Sequence, residues 1–265
     1  MRMWMRGLIS AATFVAAIAP PALPDGHLRQ LATTEEGVGL QAVGRLNFED
    51  AGFCTAALIT SDVLLTAAHC LFDKVTGRPI PPEDISFHAG FRHGHAEAAR
   101  GIRRLVIHPD YDFHGTDRLN RVAADLALVE LERPVRQGHV MPFRTHESVD
   151  AGVRVQVLSY AKDRAEAPSF EEACEVLTRD PDVLVLSCEA DFGASGAPVF
   201  LERGGERRIV SVISAKAEWN DRRVSLAASM EGEIARLIDA FSRTPALVPV
   251  GSSLAPGSVE HTAAD

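Results

Sequence analysis

The chain has no apolar run of the roughly twenty residues needed to cross a bilayer as a helix. Its amino-terminal run, Leu8 to Ala19, stops at about a dozen. A mean hydropathy near zero further excludes a polytopic membrane protein. A basic excess is also missing: 27 Lys and Arg against 36 Asp and Glu give a formal charge of -9. Such a surface offers no electrostatic attraction to nucleic acid or to an anionic bilayer, so neither is expected as a partner. No C-x-x-C, H-x-x-x-H or H-E-x-x-H spacing occurs, so no metal is expected. His93 and His95 read as a solvated turn, and Asp110, Asp112 and Asp117 lack calcium-loop spacing and read as surface charge. There is no phosphate-cradling glycine loop and no internal repeat, and no cofactor is expected.

What is present begins with Arg2 and Arg6 ahead of the short apolar run, then small residues and prolines. That order is a secretory signal, taken as residues 1–22, followed by an amino-terminal extension, 23–36. The mature chain is then secreted or periplasmic and free of the membrane. Export permits disulfides among Cys54, Cys70, Cys174 and Cys188, for which three connectivities are possible.

The rest is dominated by short apolar or alternating runs between Gly, Pro, Asp and Asn, the signature of strands in barrels or sandwiches. Strands are expected at Phe53–Thr60, Val63–Thr66, Ile102–Ile107, Leu126–Leu131, Val153–Ser159, Val183–Ser187, Pro198–Leu201, Ile209–Ile213 and Val224–Ala228. The polar stretch from Glu132 to Asp150, with Pro134 and Pro142, divides the chain into two units. In EGEIARLIDAFSR, Ile234, Leu237, Ile238 and Phe241 recur at helical offsets, predicting an amphipathic helix docked on the second unit. Residues 243–265 carry no sustained period and read as a disordered tail.

Three stretches carry chemistry. CTAALITSDVLLTAAHC brings a strand to His69. In VAADLALVEL, Asp125 enters an apolar strand. A buried aspartate beside a histidine fixes its tautomer and stabilises the imidazolium formed when the ring takes a proton. DFGASGAP sets Ser195 in a tight turn of small residues, whose Gly193 and Ser195 amides are suited to hold an oxyanion. The order His, Asp, Ser differs from that of α/β-hydrolases and subtilisins, and G-x-S-x-G fails at Ala197.

LLTAAHC, the I-H-P-x-Y run from Ile107 to Tyr111, D-L-A-L and G-x-S-G-x-P resemble the trypsin-like, chymotrypsin-fold serine peptidases over about residues 37 to 242. Among them the chain is most similar to secreted bacterial members related to glutamyl endopeptidases. The resemblance implies an all-β fold of two six-stranded antiparallel barrels with a C-terminal helix. The first barrel would be 37–133, the crossover 134–148, and the second barrel with the helix 149–242. It implies His69 as base, Asp125 as its partner, Ser195 as nucleophile and Ser214 as support for the aspartate. Near-neighbour disulfides, Cys54 with Cys70 and Cys174 with Cys188, are expected to anchor these segments. Glu189, Phe192 and Lys216 fall where the family's specificity pocket lies. Ala194 replaces the aspartate that animal trypsins pair with a new amino terminus, and Ile213 stands where glutamyl endopeptidases have histidine. The expectation is a monomeric serine endopeptidase acting on polypeptides. The alternative is a catalytically silent homologue that binds polypeptide in its cleft.

Overall fold

The apolar runs pair into sheets that close on themselves. The computed structural model describes residues 28–49, 52–146, 148–161, 163–180, 182–188 and 193–245. A two-residue strand, β1 (Arg29–Gln30), precedes β2 (Val43–Phe48), β3 (Gly52–Leu58), β4 (Val63–Thr66), β5 (Ile85–Ala89), β6 (Ala98–Ile107) and β7 (Ala127–Leu131). β2 to β7 close a barrel in the order β2-β3-β4-β7-β6-β5. In β5, ISFHA alternates buried and half-buried side chains, the period of a strand with one face on a core. β3 differs, for Cys54 to Leu58 are buried throughout. Its outer edge meets the second half of the chain, where Thr55 bonds to Ser195 and Gly193.

That half comprises β8 (Arg144–Thr145), β9 (Arg154–Ala161), β10 (Arg164–Asp180), β11 (Val183–Leu186), β12 (Pro198–Arg203), β13 (Glu206–Trp219) and β14 (Arg222–Ser229). The order is β1-β10-β11-β14-β13-β12-β9, and β9 pairs again with β10, so six of these strands form a second ring. β1 adds to the edge of β10, and β8 joins β13 in parallel, an exception to the antiparallel expectation. The extension read from sequence thus ends as part of the second sheet: Leu31 is fully buried and its amide donates to Pro168 O at 2.8 Å.

Two short helices complete the chain, α1 (Arg118–Ala123) and α2 (Glu233–Arg243). The expectation that the C-terminal helix docks on the second unit is corrected. α2 packs against β6 and β7 of the first barrel, and Ile234 and Leu237 enter a core cluster that holds most of that barrel's interior and continues into the second half. The polar flank explains the choice. Arg104 stacks its guanidinium 3.9 Å from the centroid of the Phe241 ring and donates to Phe241 O at 3.0 Å. Arg236 pairs with Asp110 at 2.6 Å. His108 faces Glu233 Oε2 across 2.7 Å, and its Nδ1 accepts the Asp110 amide at 3.3 Å. Burial, opposed by Glu233, pushes His108 below the ordinary histidine range. All three anchors come from β6 or the segment after it, and helical periodicity carries no information about such a partner. Ile238, expected on the apolar face, is 48% exposed. The helix runs through Arg243, the first residue of the expected tail; 246–265 and the signal segment 1–22 lie outside the described residues.

This docking predicts unequal losses on truncation. Leu237→Ala should cost about 2–4 kcal/mol of unfolding free energy, as a buried leucine does. Ile238→Ala should cost less than about 0.5 kcal/mol. Urea midpoints measure both, and similar losses would contradict the docking.

Candidate active site

β4 ends at Thr66, Ala67 stays extended, and a single 3-10 turn from Ala68 to Leu71 carries His69. The next residue, Cys70, is bonded to Cys54 on β3, so the turn is stapled to the adjacent strand. The second bridge joins Cys174 to Cys188; both pairs are those expected.

Asp125 lies between α1 and β7. The helix is capped by Asp117, whose carboxylate accepts the amides of Leu119 and Asn120 at 2.9 and 3.1 Å. Asp117 is therefore structural rather than free surface charge, and Asp125 is left for another role. The Asp125 side chain is 3% exposed. Its Oδ1 accepts the His69 amide at 2.8 Å, and its Oδ2 lies 2.6 Å from His69 Nδ1. Facing a carboxylate, Nδ1 must carry the proton, which leaves Nε2 as the basic nitrogen. Ser214 Oγ donates to the same Oδ2 at 2.5 Å. Ser214 sits at a register shift between Ile213 and Ala215 of β13, a bulge of the kind that re-aims a side chain.

Ser195 is positioned by its backbone. Its carbonyl accepts the Thr55 amide at 2.9 Å, and the Gly196 amide donates to Ile213 O at 2.8 Å. Thr55 Oγ1 donates to Gly193 O at 2.9 Å, and Thr66 Oγ1 donates to Thr55 O at 2.8 Å. The turn is thereby tied to β3, to the strand that ends at His69, and to the strand that carries Ser214. Gly196 has a positive φ of 79°, and a Cβ there would lie 2.2 Å from both Thr55 O and Thr66 Oγ1. Gly193, at φ 99°, would put a Cβ 2.5 Å from the Phe53 ring. Among the described residues no hydrogen bond joins the Ser195 hydroxyl to His69 Nε2; such bonds are often longer before substrate binds.

His69, Asp125 and Ser214 are thus in direct contact, with Ser195 on a turn locked beside them. Of the residues expected in the pocket, Glu189 and Phe192 lie outside the described residues. Lys216 is on β13, and its carbonyl accepts from Arg118 at 2.7 Å. Sequence reasoning missed Thr55 and Thr66, although both lie inside the stretch that led to His69. It also missed a hollow of about 390 Å3 beside His69, bordered by Lys74, Tyr111, Arg118 and Arg121. Tyr111 was in view as the last residue of I-H-P-x-Y; the cations were not. Candidate metal groupings among the described residues are accounted for otherwise: two include disulfide cysteines, and in His108, Asp110 and Glu233 the cation is Arg236, bonded to both carboxylates.

A family model described as a trypsin-like peptidase domain matches residues 54–206. Over 82 residues the chain is 33% identical to Transmembrane protease serine 11C of Mus musculus, a match covering 31% of this chain and 16% of that protein. Over 103 residues it is 32% identical to Mannan-binding lectin serine protease 1 of Homo sapiens, covering 34% and 14% respectively. The chain therefore spans only a small part of these curated relatives. A solved Glu endopeptidase in complex with MPD superposes with a TM-score of 0.67 at 15% identity, covering 83% of this chain and 97% of that one. A thermostable serine protease AL20 from an extremophilic microorganism gives 0.62 at 20% identity, covering 77% and 98%. These two likenesses establish the chymotrypsin-like fold.

The seam at Ser195 predicts a contrast in stability. Thr66→Val removes one buried hydrogen bond and should cost about 1–3 kcal/mol. Gly196→Ala should cost more, because its Cβ would meet a backbone carbonyl that cannot swing away. Denaturant midpoints decide, and a Gly196→Ala protein as stable as the parent would contradict the docking of this turn.

Proposed function

The chain belongs to the trypsin-like peptidase family, and on that premise we propose that it is a serine endopeptidase working through an acyl-enzyme on Ser195. The observation that carries this reading is the bond series from Ser214 through Asp125 to His69 Nδ1, beside the docked Ser195 turn. In the proposed cycle Ser195 Oγ attacks the peptide carbonyl and His69 Nε2 takes its proton. Asp125 holds the ring in register and stabilises the imidazolium. The Gly193 and Ser195 amides receive the oxyanion, a contribution of about 3 kcal/mol per donor. His69 then passes the proton to the leaving amine, and water, activated by the same nitrogen, releases the acyl group. No cofactor enters.

The substrate is a polypeptide, and the site of action is outside the cytoplasm. Two disulfides favour an oxidising compartment, in agreement with the secretory signal read at residues 1–22. No helix among the described residues is long and apolar enough to cross a membrane. The unmade bond between Ser195 and His69 is the one observation that favours the alternative, a silent homologue binding polypeptide in the cleft.

A fluorophosphonate probe separates the two. It is expected to label the wild type and leave Ser195→Ala unlabelled. Peptide turnover should fall by about a million-fold in Ser195→Ala and by about ten-thousand-fold in Asp125→Asn, where the ring is held in the wrong tautomer. A wild type that neither reacts with the probe nor cleaves a peptide library would overturn the enzyme reading and leave the binding module.

A further inference from the structure

The hollow beside His69 has a charge opposite to that of the chain. Its lining includes Lys74, Arg118 and Arg121, against the single carboxylate of Asp125, within a chain of formal charge -9. Asp125 is already engaged by three donors. None of the three cations takes part in an ion pair among the described residues. Arg118 bonds to a neutral acceptor, Lys216 O. The acids nearby are occupied by backbone: Asp73 accepts from Val75 and Thr76, Asp117 caps α1, and Asp112 accepts the His114 amide. Tyr111 also borders the hollow, with its hydroxyl closed off from solvent.

The hollow borders His69, so it borders the bond to be cut. An extended peptide advances about 3.3 Å per residue, and a side chain reaching this lining must belong to a residue close to that bond. An apolar side chain there would strip water from guanidinium groups and return nothing, a basic one would be repelled, and a carboxylate would pair.

We infer that this hollow takes an acidic side chain carried within about three residues of the scissile bond, so that the chain selects acidic polypeptides. The inference rests on the peptidase reading. It concerns Lys74, Arg118 and Arg121, and not the pocket positions 189, 192 and 216 drawn from the family resemblance.

Binding to the Ser195→Ala protein separates recognition from turnover. Fluorescent peptides with Glu, Gln or Lys scanned across six successive positions of an otherwise neutral sequence would be titrated by anisotropy at low and at physiological salt. At one or more positions the Glu peptide should bind about tenfold tighter than its Lys counterpart, with the gap narrowing as salt is raised. Lys74→Glu combined with Arg121→Glu, both exposed in the parent, should reverse that order. Equal binding of Glu and Lys peptides at every position, or an order unmoved by charge reversal, overturns the inference. Cleavage by the wild type without acidic preference also overturns it and leaves the peptidase reading standing. Acid-selective binding with neither cleavage nor probe labelling supports the hollow's assignment and removes the peptidase reading.

Discussion

A single buried charge organises this site. The Asp125 carboxylate is almost wholly removed from water, and an ion so placed is strongly destabilising unless hydrogen-bond donors replace the solvent. The donors come from both halves of the molecule: the amide and ring of His69 from the first barrel, and the Ser214 hydroxyl from the second. Satisfying the charge therefore requires the two rings of strands to meet in one register. The cap on α1, the stapled turn at Cys70 and the bulge at Ser214 serve that requirement, each aiming one partner at the carboxylate.

The same seam positions the Ser195 turn. Thr55 accepts from Tyr160, donates through its hydroxyl to Gly193 and through its amide to Ser195, and its carbonyl is held by Thr66. Ala194, beside the serine, is 1% exposed and lies within this bonded frame. A carboxylate at so buried a position would need a cationic partner before the turn could settle; a methyl group needs only packing. The turn is thus held by neutral hydrogen bonds and by glycines whose missing side chains permit close contact.

The site was more legible in sequence than the scaffold. His69, Asp125 and Ser195 lie in short stretches that point to one chemistry when read together, Ser214 was named through the family resemblance, and the cysteines sit in near-neighbour pairs. β10 was not read. Its sequence RAEAPSFEEACEVLTRD is rich in Glu and contains Pro168, which argues against a long strand. The strand exists because its partners change along its length, with irregularities opposite β9 and β11. The docking of α2 was misassigned because an apolar stripe specifies burial without specifying a partner. The cationic lining was invisible for a related reason: Lys74 follows the His69 turn while Arg118 and Arg121 lie on α1, and only the closed fold brings them to one hollow.

The central claim is that Asp125, held from the second half by Ser214, keeps the proton on His69 Nδ1. A proton confined between nitrogen and a carboxylate at 2.6 Å is strongly deshielded and protected from exchange with solvent. Proton NMR of the full chain should therefore show a far-downfield resonance that couples to an Nδ1 label in His69, persists in Ser195→Ala and disappears in Asp125→Asn. A wild-type spectrum without that resonance, or one whose signal survives in Asp125→Asn, would contradict the account.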